Sequence, residues 1–158
     1  GSRNVKAIVD VVGVDDDGAL AGIANCLLEG VIWNNRYLMR RYPGRLPPLY
    51  ESGVRFRAEP WASMPAAVVG PGGMRPMGPI EQFAPYVVLL KRGFGDCAQL
   101  CAQRVAELRE AGEDDAALRY YCRSDGVEPN RRRWYHVEVR RGAAGGHEIE
   151  DPSRRLDF

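Results

Sequence analysis

Apolar residues recur along this chain with two different periods, and the change of period marks where helices give way to strands. Leu20, Ile23, Leu27, Val31, Leu38 and Met39 fall near the spacing of one helix face, which predicts a helix from Ala19 to about Arg41. Pro43-Gly44 stops it. Ahead of it, "KAIVDVVGV" (Lys6 to Val14) is apolar and β-branched and predicts a strand. Asp15, Asp16, Asp17 and Gly18 break that strand, and the three carboxylates suit the positive end of the following helix. The clearest helical pattern runs from Cys97 to Ala111. Leu100, Cys101, Val105 and Leu108 form its apolar stripe, and Gln99, Gln103, Arg104, Glu107 and Glu110 are expected to face water. Asp96 and Gln99 have the spacing of a capping box, and Gly112 ends the helix.

Beyond Gly112 the period becomes two. "AALRYYC" (Ala116 to Cys122) predicts one strand. "RWYHVEVR" (Arg133 to Arg140) predicts a second, with Tyr135, Val137 and Val139 on one face and Trp134, His136 and Glu138 on the other. "HEIED" (His147 to Asp151) predicts a third, stopped by Pro152. Ser124 to Asn130 and Gly142 to Gly146 connect them. A helix followed by three strands of an antiparallel sheet implies an α+β fold, with the cysteine-bearing helix packed on a small sheet. Between the two halves the periodicity fades. Leu46 to Gly78 carries Pro47, Pro48, Pro60, Pro65, Pro71 and Pro76, and only "GVRFRAE" (Gly53 to Glu59) alternates like a strand. The rest is expected to be irregular surface chain, followed by a short helix within Pro79 to Arg92 and a turn at Gly93 to Gly95.

Composition narrows the classes. A length of 158 residues suits one domain with a single core. Lys and Arg number 22 against 21 Asp and Glu, so no global field draws the chain to nucleic acid or to an anionic membrane. No apolar run approaches the roughly 18–20 residues needed to cross a bilayer. "GSRNVKAIVD" lacks the apolar core of a signal peptide, and Gly1-Ser2 looks like a cloning remnant on an excised domain. Of the four cysteines, Cys26, Cys97, Cys101 and Cys122, none is needed as a disulfide staple in a chain of this size. The expectation is four reduced thiols in a cytoplasmic protein, with Cys26, Cys101 and Cys122 as core residues.

Candidate chemistry centres on Cys97. The first turn of a helix presents unpaired N–H groups and the positive end of the macrodipole, which lower a thiol's pKa and favour the nucleophilic thiolate. His136 stands mid-strand, and Asp151 closes the next strand. Adjacent antiparallel strands can bring such an imidazole and carboxylate together. A base oriented by a carboxylate beside an activated thiol is the general logic of nucleophilic catalysis. Plainer readings stand beside this one. Cys97 can be a small core residue, Asp96 a simple cap, Asp151 a turn residue before proline, and His147 an edge residue. Glu148 or Glu150 takes the place of Asp151 if the register shifts by one. Zinc held by Cys97, Cys101, Cys122 and His136 is disfavoured because two of the thiols share one helix without a second paired motif. Arg131, Arg132 and Arg133 read as a solvated strand entrance, or as a grip on an acidic substrate. "GPGG" (Gly70 to Gly73) lacks the lysine and hydroxyl of a phosphate loop.

Taken together, "GFGDCAQLCAQRVAELREAG", "RWYHVEVR" and "IEDPSRRL" resemble the transglutaminase-like core of the papain-like cysteine hydrolases. The resemblance covers residues 80–158. It leaves 1–79 as an N-terminal strand, helix and Pro/Gly-rich segment packed on that core in one compact domain. It implies Cys97 as nucleophile, His136 as general base and acid, and Asp151 as the carboxylate that orients the imidazole. The backbone N–H of Cys97 would be one oxyanion donor, Trp61 or Gln82 a second, and Trp134 the aromatic beside the histidine. The implied function is a cysteine hydrolase, of protease or deamidase type, acting on a protein or peptide carbonyl. No metal or organic cofactor, nucleic acid or membrane is implied. Glutamine transglutamination is the alternative within the family, and a non-catalytic binding module using residues 46–79 is the alternative outside catalysis. Two departures stand out. Only seven residues follow Asp151, so the sheet is small or completed elsewhere. "NNRYLMRRYPGRLPPLYESGVRFR" is not part of the family core and resembles segments fused to such domains in phage-derived gene clusters.

Overall fold

Fourteen residues with no exposed side organise the molecule. They form helix α3 (Cys97–Glu110), which begins at the Asp96–Gln99 capping box and has no exposed position along its length. A computed structural model of the chain describes residues 7–10, 17–57, 66–70, 73–77, 80–125, 132–142 and 148–157. Around α3 lie β1 (Ala7–Asp10), α1 (Asp17–Arg41), a 3-10 turn (Leu49–Glu51), β2 (Arg55–Phe56), β3 (Ala66–Gly70), β4 (Gly73–Met77), β5 (Ile80–Phe83), α2 (Tyr86–Arg92) and β6 (Phe94–Gly95). After it come β7 (Ala117–Asp125), β8 (Arg132–Arg141), β9 (Glu148–Glu150) and α4 (Pro152–Arg155). Helices packed on small, mainly antiparallel sheets make this a mixed α+β fold, in line with the sequence expectation. Among the described residues no helix is long and apolar enough to cross a membrane.

The C-terminal sheet has the order β7-β8-β9, antiparallel throughout. β8 alternates as its sequence requires: Val137 and Val139 are fully buried, while His136 and Glu138 on the opposite face are half-buried. One apolar cluster joins that sheet to both long helices. It holds Ala24, Leu28, Val31 and Ile32 of α1 and Val137 and Val139 of β8, with Ala98, Cys101, Ala102, Val105 and Ala106 of α3 between. A second cluster takes Leu100 from α3 and packs it with Leu49, Val54, Ala84, Tyr86, Leu89 and Leu156. α3 is thus the wall shared by two cores.

That position overturns the expected wet face of α3. Gln99 and Gln103 are each 1% exposed, and Arg104, Glu107 and Glu110 are half-buried. A one-sided stripe assumes a helix packed on one side, whereas α3 is packed on two. The Gln99 amide oxygen and the Gln103 amide nitrogen are paired, while Gln103 Oε1 is buried without a hydrogen-bond partner. Gln99 Oε1 accepts from Asp96 N–H at 3.1 Å and from Arg92 at 2.5 Å, and Gln103 Nε2 donates to Glu107 at 3.0 Å. α1 is rotated by about one residue from its expected face. Ala24, Leu28, Val31, Ile32, Asn35 and Leu38 are buried while Ile23 is 43% exposed. The same rotation places Cys26 on the solvent side, so it is an exposed thiol and not a core residue.

The Pro/Gly-rich stretch is less irregular than its composition implies. β3 and β4 pair antiparallel from Ala66↔Met77 to Gly70↔Gly73. The reason is local: Ala66 to Val69 is an apolar, partly β-branched run, and "GPGG" supplies a Pro-Gly turn signal at its end. The segment expected as one short helix divides into β5 and α2. β5 pairs antiparallel with β1, and α2 starts only after Pro85. Pro85 offers no side-chain cap. The Tyr86 N–H instead donates to Asn35 Oδ1 of α1 at 2.9 Å, buried.

Arginines tie α1 to α3. Arg109 holds Glu29 through two bonds of 2.8 and 2.9 Å, and Arg36 and Arg40 hold Glu110 at 2.7 and 2.9 Å. The Arg109 hydrogen bond lowers the Glu29 carboxyl from its usual 4.5, and the Arg40 bond does the same for Glu110. A carboxylate with a depressed folded pKa stabilises the fold above its unfolded pKa and loses that contribution as pH falls through the folded value. Urea midpoints measured across pH should therefore decline below about pH 4.5, with a shallower decline in the Glu29→Gln, Glu110→Gln double variant.

Candidate active site

The turn before Cys97 is sterically fixed. Gly93 closes α2 with a φ of 83°, and its N–H donates to Leu89 O at 2.8 Å. Gly95 has no room for a side chain: a Cβ there would lie 2.7 Å from Leu89 Cδ2 and 3.2 Å from Leu100 Cδ2. β2 fastens the turn from outside, as Arg55 N–H and Arg57 N–H donate to the carbonyls of Gly93 and Gly95 at 3.0 and 2.9 Å. Asp96 then caps α3, accepting from Gln99 N–H at 2.9 Å. Cys97 is left as the first helical residue, half-buried and packed beside the first cluster. Gly95→Ala should cost about 1–3 kcal/mol by overpacking Leu89 and Leu100, read as a lowered urea midpoint.

One turn further, Cys101 fixes how α3 meets the sheet. Its thiol is buried and donates to Val137 O at 3.3 Å. Burial pushes the Cys101 thiol well above its usual range, and the charges of Cys97, Asp151, Asp96 and Glu138 push it further in that order. Cys101, one turn after Cys97, thus ties α3 to the backbone of β8 at Val137, the residue that follows His136 in the strand. Cys101 should resist iodoacetamide in the native protein and react only on unfolding, whereas exposed Cys26 should be labelled without unfolding, as peptide mapping would show.

His136 and Asp151 come together. The imidazole Nε2 lies 3.3 Å from Asp151 Oδ2. Asp151 is the N-cap of α4, with Pro152 in the first turn. Its other oxygen, Oδ1, accepts from Ser153 N–H at 3.1 Å, Ser153 Oγ at 2.5 Å and Arg154 N–H at 3.4 Å. One oxygen is committed to the cap and the other to the imidazole, so the carboxylate is oriented by the chain that follows it. Asp151 is both a capping residue and the histidine's neighbour, which joins two readings that the sequence left as alternatives.

A third group was not singled out from the sequence. Glu138 Oε1 lies 3.2 Å from the same His136 Nε2. The signal was present: His136 and Glu138 are two apart on a strand and so share a face. Glu138 Oε2 is held 3.7 Å from Arg119, its antiparallel partner on β7. Among the described residues, His136, Glu138 and Asp151 form the one group of three His, Cys, Asp or Glu side chains whose ligand atoms lie within 4.8 Å of one another.

Glu150, the register alternative to Asp151, points elsewhere. It is 5% exposed and lies 2.8 Å from Arg104, 3.2 Å from Arg155 and 3.9 Å from Arg141. Glu148 is exposed on β9. Trp61 and His147 lie outside the described residues. Gln82 belongs to β5, Trp134 to β8 and Cys122 to β7, with their side chains outside what the structure describes. No family model matches the chain, and neither does any curated protein or solved structure.

Proposed function

We propose that this chain is a cysteine-dependent hydrolase of the papain-like, transglutaminase-like type, acting on protein or peptide carbonyls. The observation that carries the reading is the His136–Asp151 pair at 3.3 Å, set on the strand against which the Cys97 helix docks through Cys101. With Nε2 directed at the carboxylates, the neutral imidazole carries its proton on Nε2 and its lone pair on Nδ1. Nδ1 is then the atom that takes the thiol proton and later returns it to the leaving amine. The thiolate attacks the carbonyl carbon, and the C–N bond breaks as an acyl-enzyme forms. Water, deprotonated through the same Nδ1, then releases the acid. First-turn N–H groups of α3, that of Cys97 foremost, favour both the thiolate and the oxyanion. Asp151 keeps the tautomer and stabilises the imidazolium.

Mass spectrometry of a protein mixture incubated with the wild type or with Cys97→Ala tests this. New peptide termini, or glutamine converted to glutamate with ammonia release, should appear with the wild type alone. Incorporation of an added amine in place of either would make the protein a transglutaminase. Identical spectra for wild type and variant would remove the catalytic reading.

A further inference from the structure

Two carboxylates face one imidazole nitrogen, and a neutral imidazole has one proton to offer there. The separations from Nε2, 3.2 Å to Glu138 and 3.3 Å to Asp151, exceed the roughly 2.7–2.9 Å of a charge-assisted N–H···O bond. They match a different figure. Zinc bonds of about 2.0–2.1 Å in a tetrahedron separate neighbouring ligand atoms by about 3.3 Å. The remote oxygens have partners of their own. Arg119 lies 3.7 Å from Glu138 Oε2, and the α4 cap holds Asp151 Oδ1. The ligand atoms of all three side chains lie within 4.8 Å of one another, close enough for one ion to meet all three, and the α4 cap orients Asp151 as outer partners orient metal ligands. The three side chains are 34%, 17% and 16% exposed, so an ion can reach them from solvent.

We infer that His136 Nε2, Glu138 and Asp151 form a binding site for a zinc-class divalent transition ion, and that occupancy switches off the thiol chemistry proposed above. One nitrogen and two carboxylate oxygens with a fourth position for water suit zinc over calcium or magnesium, which prefer six or more oxygens. The inhibition follows from the tautomer. A metal on Nε2 takes that lone pair, so the proton of the neutral ring resides on Nδ1. Nδ1 then cannot accept the Cys97 proton. The ion is a reversible lock on the base and takes no part in turnover. The inhibitory half of the inference rests on the proposed function, whereas the site itself does not.

The test is competition between the protein and a chromogenic chelator for Zn²⁺ alone, in a Cys26→Ser background that removes an exposed thiol. One equivalent should bind. Glu138→Gln should weaken it at least about tenfold, Cys97→Ala should retain it, and excess Ca²⁺ or Mg²⁺ should not displace it. The His136 Nε2 nitrogen resonance should move on zinc addition, a readout that stands if a variant folds poorly. Unchanged affinity in Glu138→Gln, loss of binding in Cys97→Ala, or a stationary Nε2 resonance would overturn the site. Zinc should also slow alkylation of Cys97. If zinc binds as expected without slowing alkylation, the lock fails while the site stands. Metal-free alkylation judges the hydrolase reading separately.

Discussion

Alkylation of Cys97 by iodoacetamide at pH 6.5 should slow by about one to two orders of magnitude when His136 is replaced by alanine. A thiol near the free value of about 8.5 is about 1% thiolate at that pH. In the proposed mechanism the imidazole takes the thiol proton and so favours the thiolate, and its loss returns most of that factor, less the share that the α3 N-terminus retains. Asp151→Asn should give a smaller loss, because the amide keeps an acceptor for the α4 cap but no longer stabilises an imidazolium. Peptide mapping separates Cys97 from Cys26 in one experiment. Equal rates for Cys97 in wild type and His136→Ala would mean that thiol and imidazole do not act together, and the proposed mechanism would fall.

The largest stability effect should come from Glu150. It is a buried carboxylate surrounded by Arg104, Arg155 and Arg141. Removing one partner of a buried pair costs about 3–5 kcal/mol because the remaining charge stays uncompensated. Arg155 is 58% exposed and can turn to water, which puts the expected cost of Glu150→Ala near the lower end, about 3 kcal/mol. For a domain of this size that is a fall in Tm of about 10 °C, measurable by circular dichroism. Below the lowered Tm, Cys97 alkylation should be unaffected. Asp151→Asn should do the reverse, slowing alkylation with a small change in Tm. Neighbouring carboxylates thereby separate a structural role from a chemical one.

How far the sequence reaches depends on how local each determinant is. The α3 capping box, the glycine that ends the helix and the alternation along β8 are set within a few residues, and each was legible. So was the opposition of His136 to Val137 and Val139, because a strand leaves no other choice of face. Burial of Gln99 and Gln103 was not legible, since it depends on α2 and the 3-10 turn closing over the far side of α3. The one-residue rotation of α1 has a similar origin. Asn35 is polar by type, yet it is buried because its amide meets the start of α2. The β3–β4 pairing was hidden by proline and glycine content that reads as irregular chain, although Gly70, Gly73 and Pro76 are themselves strand positions. Glu138 was placed on the correct face and passed over, because one carboxylate already sufficed for the expected chemistry.

A helix enclosed on every side has consequences for time as well as for structure. The amides of α3 lack an open flank through which to fray, so their hydrogen exchange should approach the rate set by global unfolding. The thiol at its start then sits on the slowest-opening part of the molecule, and any gate for an incoming chain must be built from other elements. The same enclosure leaves α3 little latitude for neutral drift, so substitutions there should register as lost stability before they register as altered chemistry.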